Sequence, residues 1–402
     1  MTRVAASDDS PAAEAFRDLL TERGQRLLAD LRDLAPGEEL AAATRLRRDH
    51  PAPLVAAALT QARLRQRAAA KFGGDAASMY FTPDGVEQAT RGSVAGWRAS
   101  RLTALGARRV ADLCCGIGGD AVALARAGCE VLAVDRDPLT CAIAEANAAA
   151  LGLADRVTVR CADAADVDLT GWDAVFLDPA RRGGRGRVFD PEAYAPPLSR
   201  AVALARRAPL AALKVAPGLP HEAVPQGAEA EWVSAGGDVK EAVLWFGTGG
   251  GGPSGPRRAT LLPGPHTLTG TGPAAPVGPL GRYLYEPDGA VIRAGLVAEA
   301  ARLLGGRLAD PSIAYVTADR PRETPLATGY EITDALPFHL KRLRALLRER
   351  RVGTLTIKKR GFAITPEELR SKLRLAGANS CTLILTRVAG ARMMLLAQPL
   401  RA

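Results

Sequence analysis

Four aspartates and a group of glycines are the residues whose types and spacing could do chemistry in this sequence. The glycines are Gly116, Gly118 and Gly119, and they follow the apolar residues 110–113. Because glycine has no Cβ atom, this glycine loop (residues 116–119) allows a tight turn and a close approach of the backbone to a ligand. A helix that starts behind such a turn offers unpaired N–H groups. The pattern therefore predicts a site for a nucleotide-like molecule.

The glycine loop alone leaves two classes of nucleotide open. Residues 116–121 fit the loose dinucleotide pattern G-x-G-x-x-A, and Asp135 follows Gly116 by 19 residues, where an acid that binds a ribose would lie. Asp112, before the glycines, could meet an ammonium group, which S-adenosylmethionine has and a nicotinamide dinucleotide lacks. Asp163 and Asp178 follow the next two predicted strands. Acids at successive strand ends favour S-adenosylmethionine.

An alternation of strands and helices is predicted to position these acids. Strands are predicted at residues 110–113, 130–134, 157–160, 174–177 and 211–215, and helices at 121–127, 139–151 and 196–207. Such an alternation predicts a parallel sheet with helices on both faces. Two further strands, at 241–246 and 259–262, are joined by a glycine-rich loop and predict an antiparallel hairpin at the sheet edge.

At the glycine loop and at Asp178-Pro-Ala-Arg, the chain resembles the class I S-adenosylmethionine-dependent methyltransferases. The resemblance implies an enzyme with S-adenosylmethionine as its cofactor. A helix over residues 85–105 would cover the cofactor, with Gln88 and Thr90 near it. The implied cofactor-binding residues are Gln88, Asp112, Cys114, Gly116, Gly118, Asp135 and Asp163. Asp112 would meet the ammonium group, Asp135 the ribose hydroxyls and Asp163 the adenine amine. The structural alternative for each acid is a helix cap or a turn.

The resemblance also bears on the target of the reaction. Amino-methylating members of the family carry Asp/Asn-Pro-Pro-Tyr/Phe at this point; the acid or amide and a backbone carbonyl hold the target amine, and the ring stacks on the base. This sequence keeps Asp178 and Pro179 but has Ala180 and Arg181 in the last two places. Arginine can stack on a base or hold a phosphate. The implied catalytic residues are Asp178, Pro179 and Arg181; an exocyclic nitrogen is the favoured target, and a ring carbon or ribose oxygen stays open.

The net charge of +10 is concentrated at one end of the chain. Residues 337–402 contain 15 Lys and Arg against 3 Asp and Glu, a local charge of +12, which predicts a surface for a polyanion. Three stretches there, 338–344, 356–361 and 383–388, resemble the THUMP-like domain that follows a class I methyltransferase domain in a group of bacterial proteins. Relatives of that domain bind RNA. The candidate RNA-binding residues are Arg182, Arg185, Lys358, Lys359 and Arg360; the alternative is an unoccupied basic surface.

These patterns predict an α/β protein in four parts. Residues 1–75 form a small helical region, and residues 76–265 form a Rossmann-like methyltransferase domain whose sheet ends in the antiparallel hairpin. A Pro/Gly-rich linker follows at 266–280. Residues 281–402 form a basic α+β THUMP-like domain.

The sequence predicts neither contact with a membrane nor a metal site. No run of about 18 uncharged apolar residues and no signal sequence occur, so we expect no membrane contact and a cytoplasmic location. The six cysteines form no C-x-x-C pair and the four histidines are scattered, so we expect no metal site.

The leading interpretation is a methyltransferase that modifies an exocyclic amine or another base atom of structured RNA. Two alternatives stay open. One is an RNA-binding or assembly protein with a vestigial cofactor site, because the Asp-Pro-Ala-Arg stretch departs from the family pattern. The other is a methyltransferase for proteins or small molecules.

Overall fold

A computed structural model describes residues 10–35, 37–180, 190–249 and 255–400, together with the backbone of Arg182–Gly183 and Gly186–Arg187. The chain forms two compact units, Met1–Leu219 with Val243–Gly249, and Pro220–Ala242 with Gly250–Ala402. These units do not follow the predicted boundaries at 75, 265 and 280, so the four-part division stays a prediction. None of the helices in the described ranges is both long and apolar enough to span a bilayer.

Four helices begin the first unit. They are α1 (Pro11–Leu20), α2 (Glu22–Asp30), α3 (Glu39–Leu46) and α4 (Ala52–Phe72). Their leucines recur at helical spacing, so each helix has one apolar face, and Leu19, Leu27 and Leu64 are almost fully buried. The same core includes Ile117 of the glycine loop and Ile143. The helical region therefore shares its core with the segment that forms the predicted site.

A parallel sheet forms the centre of the first unit. Its strands are β1 (Arg109–Leu113), β2 (Glu130–Asp135), β3 (Val157–Cys161), β4 (Ala174–Leu177) and β7 (Leu210–Val215), in the order β7-β4-β1-β2-β3. The pairs β1–β2, β1–β4, β2–β3 and β4–β7 are all parallel, as the alternation of elements predicted. Residues 243–246, at the end of β9 (Asp238–Phe246), lie beside β7. The short β5 (Arg182–Gly183) and β6 (Gly186–Arg187) pair with each other.

The connecting helices match the predicted pattern with one correction. They are α5 (Pro83–Gln88), α6 (Gly92–Ala104), α7 (Gly119–Arg126), α8 (Pro138–Ala150) and α9 (Leu198–Ala205). The single helix predicted over 85–105 is wrong, because the chain leaves helical geometry between α5 and α6. Ala89 has an extended backbone conformation (φ −56°, ψ 141°). This break buries the side chain of Thr90.

The second unit corrects the predicted hairpin. β10 (Arg257–Leu262) pairs in parallel with β8 (Glu229–Ala235) and antiparallel with β11 (His266–Gly270). β9 lies beside β8 and not beside β10, so the predicted pairing of 241–246 with 259–262 is wrong. The reason is the turn at Gly236 and Gly237, whose positive φ values suit a two-residue hairpin loop between β8 and β9. β11 lies inside the stretch predicted as a linker.

The rest of the second unit is an α+β fold, as predicted. A seven-stranded sheet has the order β13-β14-β12-β15-β18-β17-β16 and is antiparallel except for β16–β17. Its strands are β12 (Tyr283–Pro287), β13 (Arg307–Leu308), β14 (Val316–Ala318), β15 (Ala327–Pro337), β16 (Val352–Lys359), β17 (Asn379–Val388) and β18 (Ala391–Pro399). Its helices are α10 (Gly289–Arg293), α11 (Val297–Leu304), α12 (Leu340–Glu349) and α13 (Pro366–Leu373). Leucines of α12 and α13 share one core with β17.

Candidate active site

A cavity of about 830 Å³ lies where β1, β2, β3 and β4 reach their carboxyl ends. This volume is in the usual range for a site that encloses a small molecule. The predicted site residues in its wall are Gln88, Asp112, Cys114, Gly116, Asp135, Asp163, Asp178 and Pro179. The structure therefore brings together the four acids that the sequence places at successive strand ends.

Asp112 is fully buried in β1, between Ala133 of β2 and Phe176 of β4. Neither of its carboxyl oxygens has a hydrogen-bond partner among the described residues. Burial, together with the negative charges of Asp120 and Asp178, raises the pKa of Asp112 well above its usual range. A buried carboxylate is costly unless it is paired, so a cationic group in the cavity would satisfy Asp112.

Asp135 and Asp163 both line the cavity and both also cap backbone N–H groups. Asp135 accepts from Gly116 N (3.0 Å) and from Asp137 N (3.1 Å). Asp163 accepts from Ala165 N (2.9 Å) at the start of a short 3₁₀ helix. The capping alternative is thus true of Asp163. Since an ionised carboxylate can accept about four hydrogen bonds, each acid keeps capacity for a ligand.

The glycine loop is shaped by left-handed backbone conformations. Gly116 has φ +55° and Gly118 has φ +82°, and the non-glycine Cys114 has φ +66°. Gly118 is absent from the described cavity wall; it packs on α8 instead, where an added Cβ would lie 3.2 Å from Cβ of Ala144. Burial raises the pKa of the Cys114 thiol to about 12, so this thiol stays protonated at neutral pH and is a poor nucleophile.

Asp178 has a buried partner that sequence reasoning missed. Lys214 of β7 donates from Nζ to Asp178 Oδ2 (2.5 Å) and to Thr90 Oγ1 (2.8 Å). The side chain of Lys214 is 4% exposed and that of Asp178 is 22% exposed. Asp178 lines the cavity, whereas Lys214 and Thr90 lie behind it. The available signal was a lone lysine inside an otherwise apolar strand, since Lys is almost never buried unless it is paired.

The chain after Asp178 folds back on itself beside the cavity. Ala180 and Ala195 exchange two backbone hydrogen bonds of 3.0 Å. This pairing places Tyr194 in the cavity wall, where it is buried and its hydroxyl has no partner in the described structure. Sequence reasoning missed Tyr194, because no spacing rule links it to the Asp-Pro stretch. The predicted Arg181 and Arg185 lie outside the described residues, and for the predicted Arg182 only the backbone is described.

Helix α5 covers one side of the cavity, and Gln88 at its end lies in the wall as expected. Lys71 of α4 donates from Nζ to the carbonyl oxygens of Glu87 (2.6 Å) and Ala89 (2.7 Å), so its charge sits at the carboxyl end of α5. An added Cβ at Gly85 would lie 2.6 Å from Cγ2 of Ile117. The N-terminal helices thus hold α5 close to the glycine loop.

Buried Asn147 of α8 fixes the same region. Its Nδ2 donates to the carbonyl oxygens of Tyr80 (3.0 Å) and Ile117 (2.8 Å), and its Oδ1 accepts from Tyr80 N (2.6 Å). Both N–H groups of the amide are thus used as donors, and its oxygen is used as an acceptor. Asn147 therefore joins the chain before α5 to the glycine loop.

Two of the three predicted RNA-binding cations of the second unit share a single acidic partner. Lys358 and Arg360 both contact Glu286, at 2.8 Å and 3.3 Å, and only Lys359 of the three is exposed. A shallow groove between α12 and α13 is lined instead by three arginines, Arg344, Arg348 and Arg374. Within the described ranges, no group of His, Cys, Asp or Glu has a geometry that could hold a metal ion.

Three family models match parts of the chain. The model described as RNA cap guanine-N2 methyltransferase matches residues 107–190, and the one described as THUMP domain-like matches residues 327–399. A domain of unknown function matches residues 12–68. The first match includes Asp112, Asp135, Asp163 and Asp178.

Known proteins match a larger part of the chain. An uncharacterized S-adenosylmethionine-dependent methyltransferase of Mycobacterium tuberculosis is 35% identical over 339 residues, which cover 81% of this chain and 90% of that protein. The 23S rRNA (uracil(1939)-C(5))-methyltransferase RlmD of Shewanella amazonensis is 42% identical over 80 residues, 19% of this chain and 18% of that one.

A solved structure supports the fold. The crystal structure of a protein from Porphyromonas gingivalis W83 that is assigned as a methyltransferase has a TM-score of 0.76 at 23% identity, and covers 92% of this chain and 100% of that one. The sequence match to the mycobacterial protein extends over most of both chains. The protein therefore belongs to the S-adenosylmethionine-dependent methyltransferases.

Proposed function

We propose that this enzyme methylates a base of structured RNA, with an exocyclic amine as the favoured target and Asp178 as the residue that receives it. One observation carries the proposal. Asp178 lines the same cavity as Asp112 and Asp135, and its Oδ1 has no hydrogen-bond partner in the described structure. Pro179 follows it in the wall, and its backbone carbonyl would serve as a second acceptor.

The residues around the glycine loop fit S-adenosylmethionine. The unpartnered carboxylate of Asp112 would pair with the ammonium group of the methionine part. Asp135 would accept from the ribose hydroxyls, and Asp163 and Gln88 would lie near the adenine. When bound, S-adenosylmethionine supplies an electrophilic methyl group on a positively charged sulfur.

The chain's own groups would act on the target nitrogen. Asp178 Oδ1 accepts one N–H of the amine and the carbonyl of Pro179 accepts the other, which aims the nitrogen lone pair into the cavity. The carboxylate of Asp178 also stabilises the positive charge that grows on nitrogen during transfer.

A nitrogen target is favoured over a ring carbon. Methylation of pyrimidine C5 needs a thiolate that adds to the ring. Cys114 and Cys115 line the cavity, and burial raises the pKa of the first thiol to about 12 and that of the second well above its usual range, so the thiolate is scarce. The guanine-N2 family match agrees with nitrogen, while the short RlmD match names a carbon.

The second unit would hold the RNA backbone. Its THUMP domain-like match and its charge support this role. Lys358 and Arg360 are paired with Glu286, and Arg344 donates to the carbonyl oxygen of Lys372. We therefore assign the main phosphate contacts to Arg348 and Arg374 in the groove between α12 and α13. Arginine forks match phosphate oxygens well. Lys359 and the predicted Arg181, Arg182 and Arg185 are further candidates.

Transfer of a tritiated methyl group to total RNA tests the proposal. RNA from cells that lack the protein serves as substrate, with wild-type enzyme and Asp178→Ala compared. We expect label in RNA with the wild type and a loss of at least about 100-fold with the variant, as for removal of a positioned acceptor. Equal labelling by both would remove Asp178 from the mechanism. Label found only in protein or small molecules would overturn the RNA assignment.

A further inference from the structure

We infer that Lys214 is a positioning residue for methyl transfer: it holds Asp178 in the cavity wall and ties it to Thr90, at the break beside the cofactor cover α5. This inference rests on the proposed role of Asp178. It concerns a residue that lies behind the cavity and would touch neither the cofactor nor the substrate.

The burial of Lys214 is the first argument. β7 is otherwise apolar, and Leu213 and Val215 on either side of Lys214 are fully buried. Replacing a buried ion pair with apolar residues is often neutral or stabilising for a fold, so stability alone does not call for a lysine here. A charge that the core does not need, aimed at an acid in the cavity wall, indicates a functional use.

The geometry of Asp178 is the second argument. Lys214 donates from Nζ to Oδ2 of Asp178 at 2.5 Å, which leaves Oδ1 of this cavity-lining residue free to accept a hydrogen bond. A carboxylate on a short side chain has few rotamers, and a contact at one oxygen fixes the direction of the other. A target amine would therefore meet an acceptor whose position is already set, which lowers the entropic cost of reaching the reactive geometry.

Thr90 is the third argument. Lys214 donates to its Oγ1 at 2.8 Å, and Thr90 lies in the non-helical break that directly follows α5. Residues of α5 line the cavity on one side of this break, and Asp178 lines the same cavity. One ammonium group thus joins the segment that covers the cofactor to the residue that would receive the substrate. A displacement of α5 would move Asp178 through Lys214.

The test compares Lys214→Met, Lys214→Arg and Thr90→Val in the full chain, with Lys240→Met as the control. Lys240 also pairs with an aspartate, Asp238 at 3.0 Å, but outside the cavity. Measurements are kcat and KM for methyl transfer to total RNA from cells that lack the protein, the Kd for S-adenosylmethionine by calorimetry, and the melting temperature.

We expect Lys214→Met to lower kcat about 100-fold, as for a misplaced reactive group, and to leave the Kd for S-adenosylmethionine and the KM for RNA nearly unchanged. Thr90→Val should lower kcat about fivefold, since it removes one hydrogen bond and keeps the ion pair. Lys214→Arg should recover part of the loss, and Lys240→Met should behave as the wild type. A wild-type kcat for folded Lys214→Met would overturn the inference, and if that variant does not fold, a wild-type kcat for Thr90→Val would do so.

A double-mutant cycle separates positioning from structural support. An amide at position 178 still accepts a hydrogen bond but carries no charge for Lys214, so Lys214→Met should cost less in the Asp178→Asn background than in the wild type. Equal costs in both backgrounds would show a merely structural lysine. If Asp178→Ala itself keeps full activity, the proposed function fails; if Asp178→Ala is inactive and Lys214→Met is active, this inference alone fails.

Discussion

At the scale of single residues, Asp112 is a buried carboxyl group whose ionised form is unfavourable until a cation binds beside it. In the absence of a partner, burial raises the pKa of its carboxyl group. The cofactor-free protein therefore favours the protonated acid, while a bound cation favours the carboxylate. Binding of S-adenosylmethionine should release a proton, and its affinity should rise with pH.

We expect Asp112→Asn to bind S-adenosylmethionine roughly 10- to 100-fold more weakly, the value of a hydrogen bond between charged groups. Calorimetry between about pH 5.5 and 7 stays below the range in which an α-amino group loses its proton. Over that range the wild-type affinity should rise with pH and that of the variant should stay flat. Equal affinities for both proteins would contradict the assignment of Asp112 to the ammonium group.

The raised pKa of Asp112 also affects the stability of the fold, and this effect provides a control for the binding experiment. A carboxyl group whose folded pKa is raised binds a proton in the folded state at pH values where the unfolded chain, with a pKa of about 3.9, has lost it. The contribution of Asp112 to stability is thus present at low pH and falls as pH rises through and above the unfolded pKa. Cofactor-free Asp112→Asn lacks this fall, so its melting temperature relative to the wild type should increase with pH.

At the scale of elements, the cover α5 depends on close packing against the glycine loop. Gly85 meets Ile117, and an added Cβ would lie only 2.6 Å from Cγ2 of Ile117 and 2.8 Å from Oγ1 of Thr82. Real Cβ atoms do not approach so closely, so α5, the loop or the side chains of Ile117 and Thr82 must shift. The packing of α5 against the glycine loop therefore leaves no room for a larger side chain at position 85.

We expect Gly85→Ala to weaken binding of S-adenosylmethionine measurably, because it displaces the cover. Gly96→Ala is the matched control: Gly96 lies within α6, and an added Cβ there meets no atom within 4 Å. That control should stabilise the protein by about 0.5–1 kcal/mol, since alanine favours a helix, and should leave binding unchanged. Calorimetry and thermal unfolding check both; unchanged cofactor affinity in Gly85→Ala would show that the cover is free to shift.

Local patterns were enough to predict most of the sheet and the acids at its strand ends. The glycine loop follows from residues that are neighbours in sequence. The parallel strands, and with them the cavity that contains Asp112 and Asp178, follow from the alternation of strands and helices. The wrong hairpin has a different cause. The short turn at Gly236 and Gly237 was less conspicuous than the long glycine-rich loop after β9, so β8 was missed.

Contacts between distant parts of the chain could not be predicted in this way. Lys214 and Asp178 are 36 residues apart, and Thr90 is 124 residues from Lys214. No spacing rule connects such positions. The pairing of β7 with β4 brings Lys214 to Asp178, and the break after α5 brings Thr90 to Lys214. The same holds for Lys358 and Arg360, whose charges are directed to Glu286 on another strand.

At the scale of the whole molecule, negative and positive charge are concentrated in different units of the chain. The acids of the cavity belong to the first unit, whereas the excess of Lys and Arg belongs to residues 337–402 of the second. An acidic cavity suits a positively charged cofactor, and a basic surface elsewhere suits a polyanion.

We expect Arg348→Gln and Arg374→Gln each to weaken binding of structured RNA and to reduce the slope of log K against log salt by about 1, the value for one lost phosphate contact. Arg302→Gln removes the same charge from an exposed side chain of α11 in the same unit, beside Glu299, and should change neither quantity. Titrations at several salt concentrations measure both effects. Three identical slopes would place the RNA surface elsewhere.

The core shared by the N-terminal helices and the glycine loop also constrains the order of events during synthesis. Leu19 and Leu27 leave the ribosome long before Ile143, yet all three belong to one core. That core cannot be completed until the later residue has emerged, so the apolar surface of the helical region that packs on Ile143 stays uncovered, open to solvent or to a chaperone, in the interval.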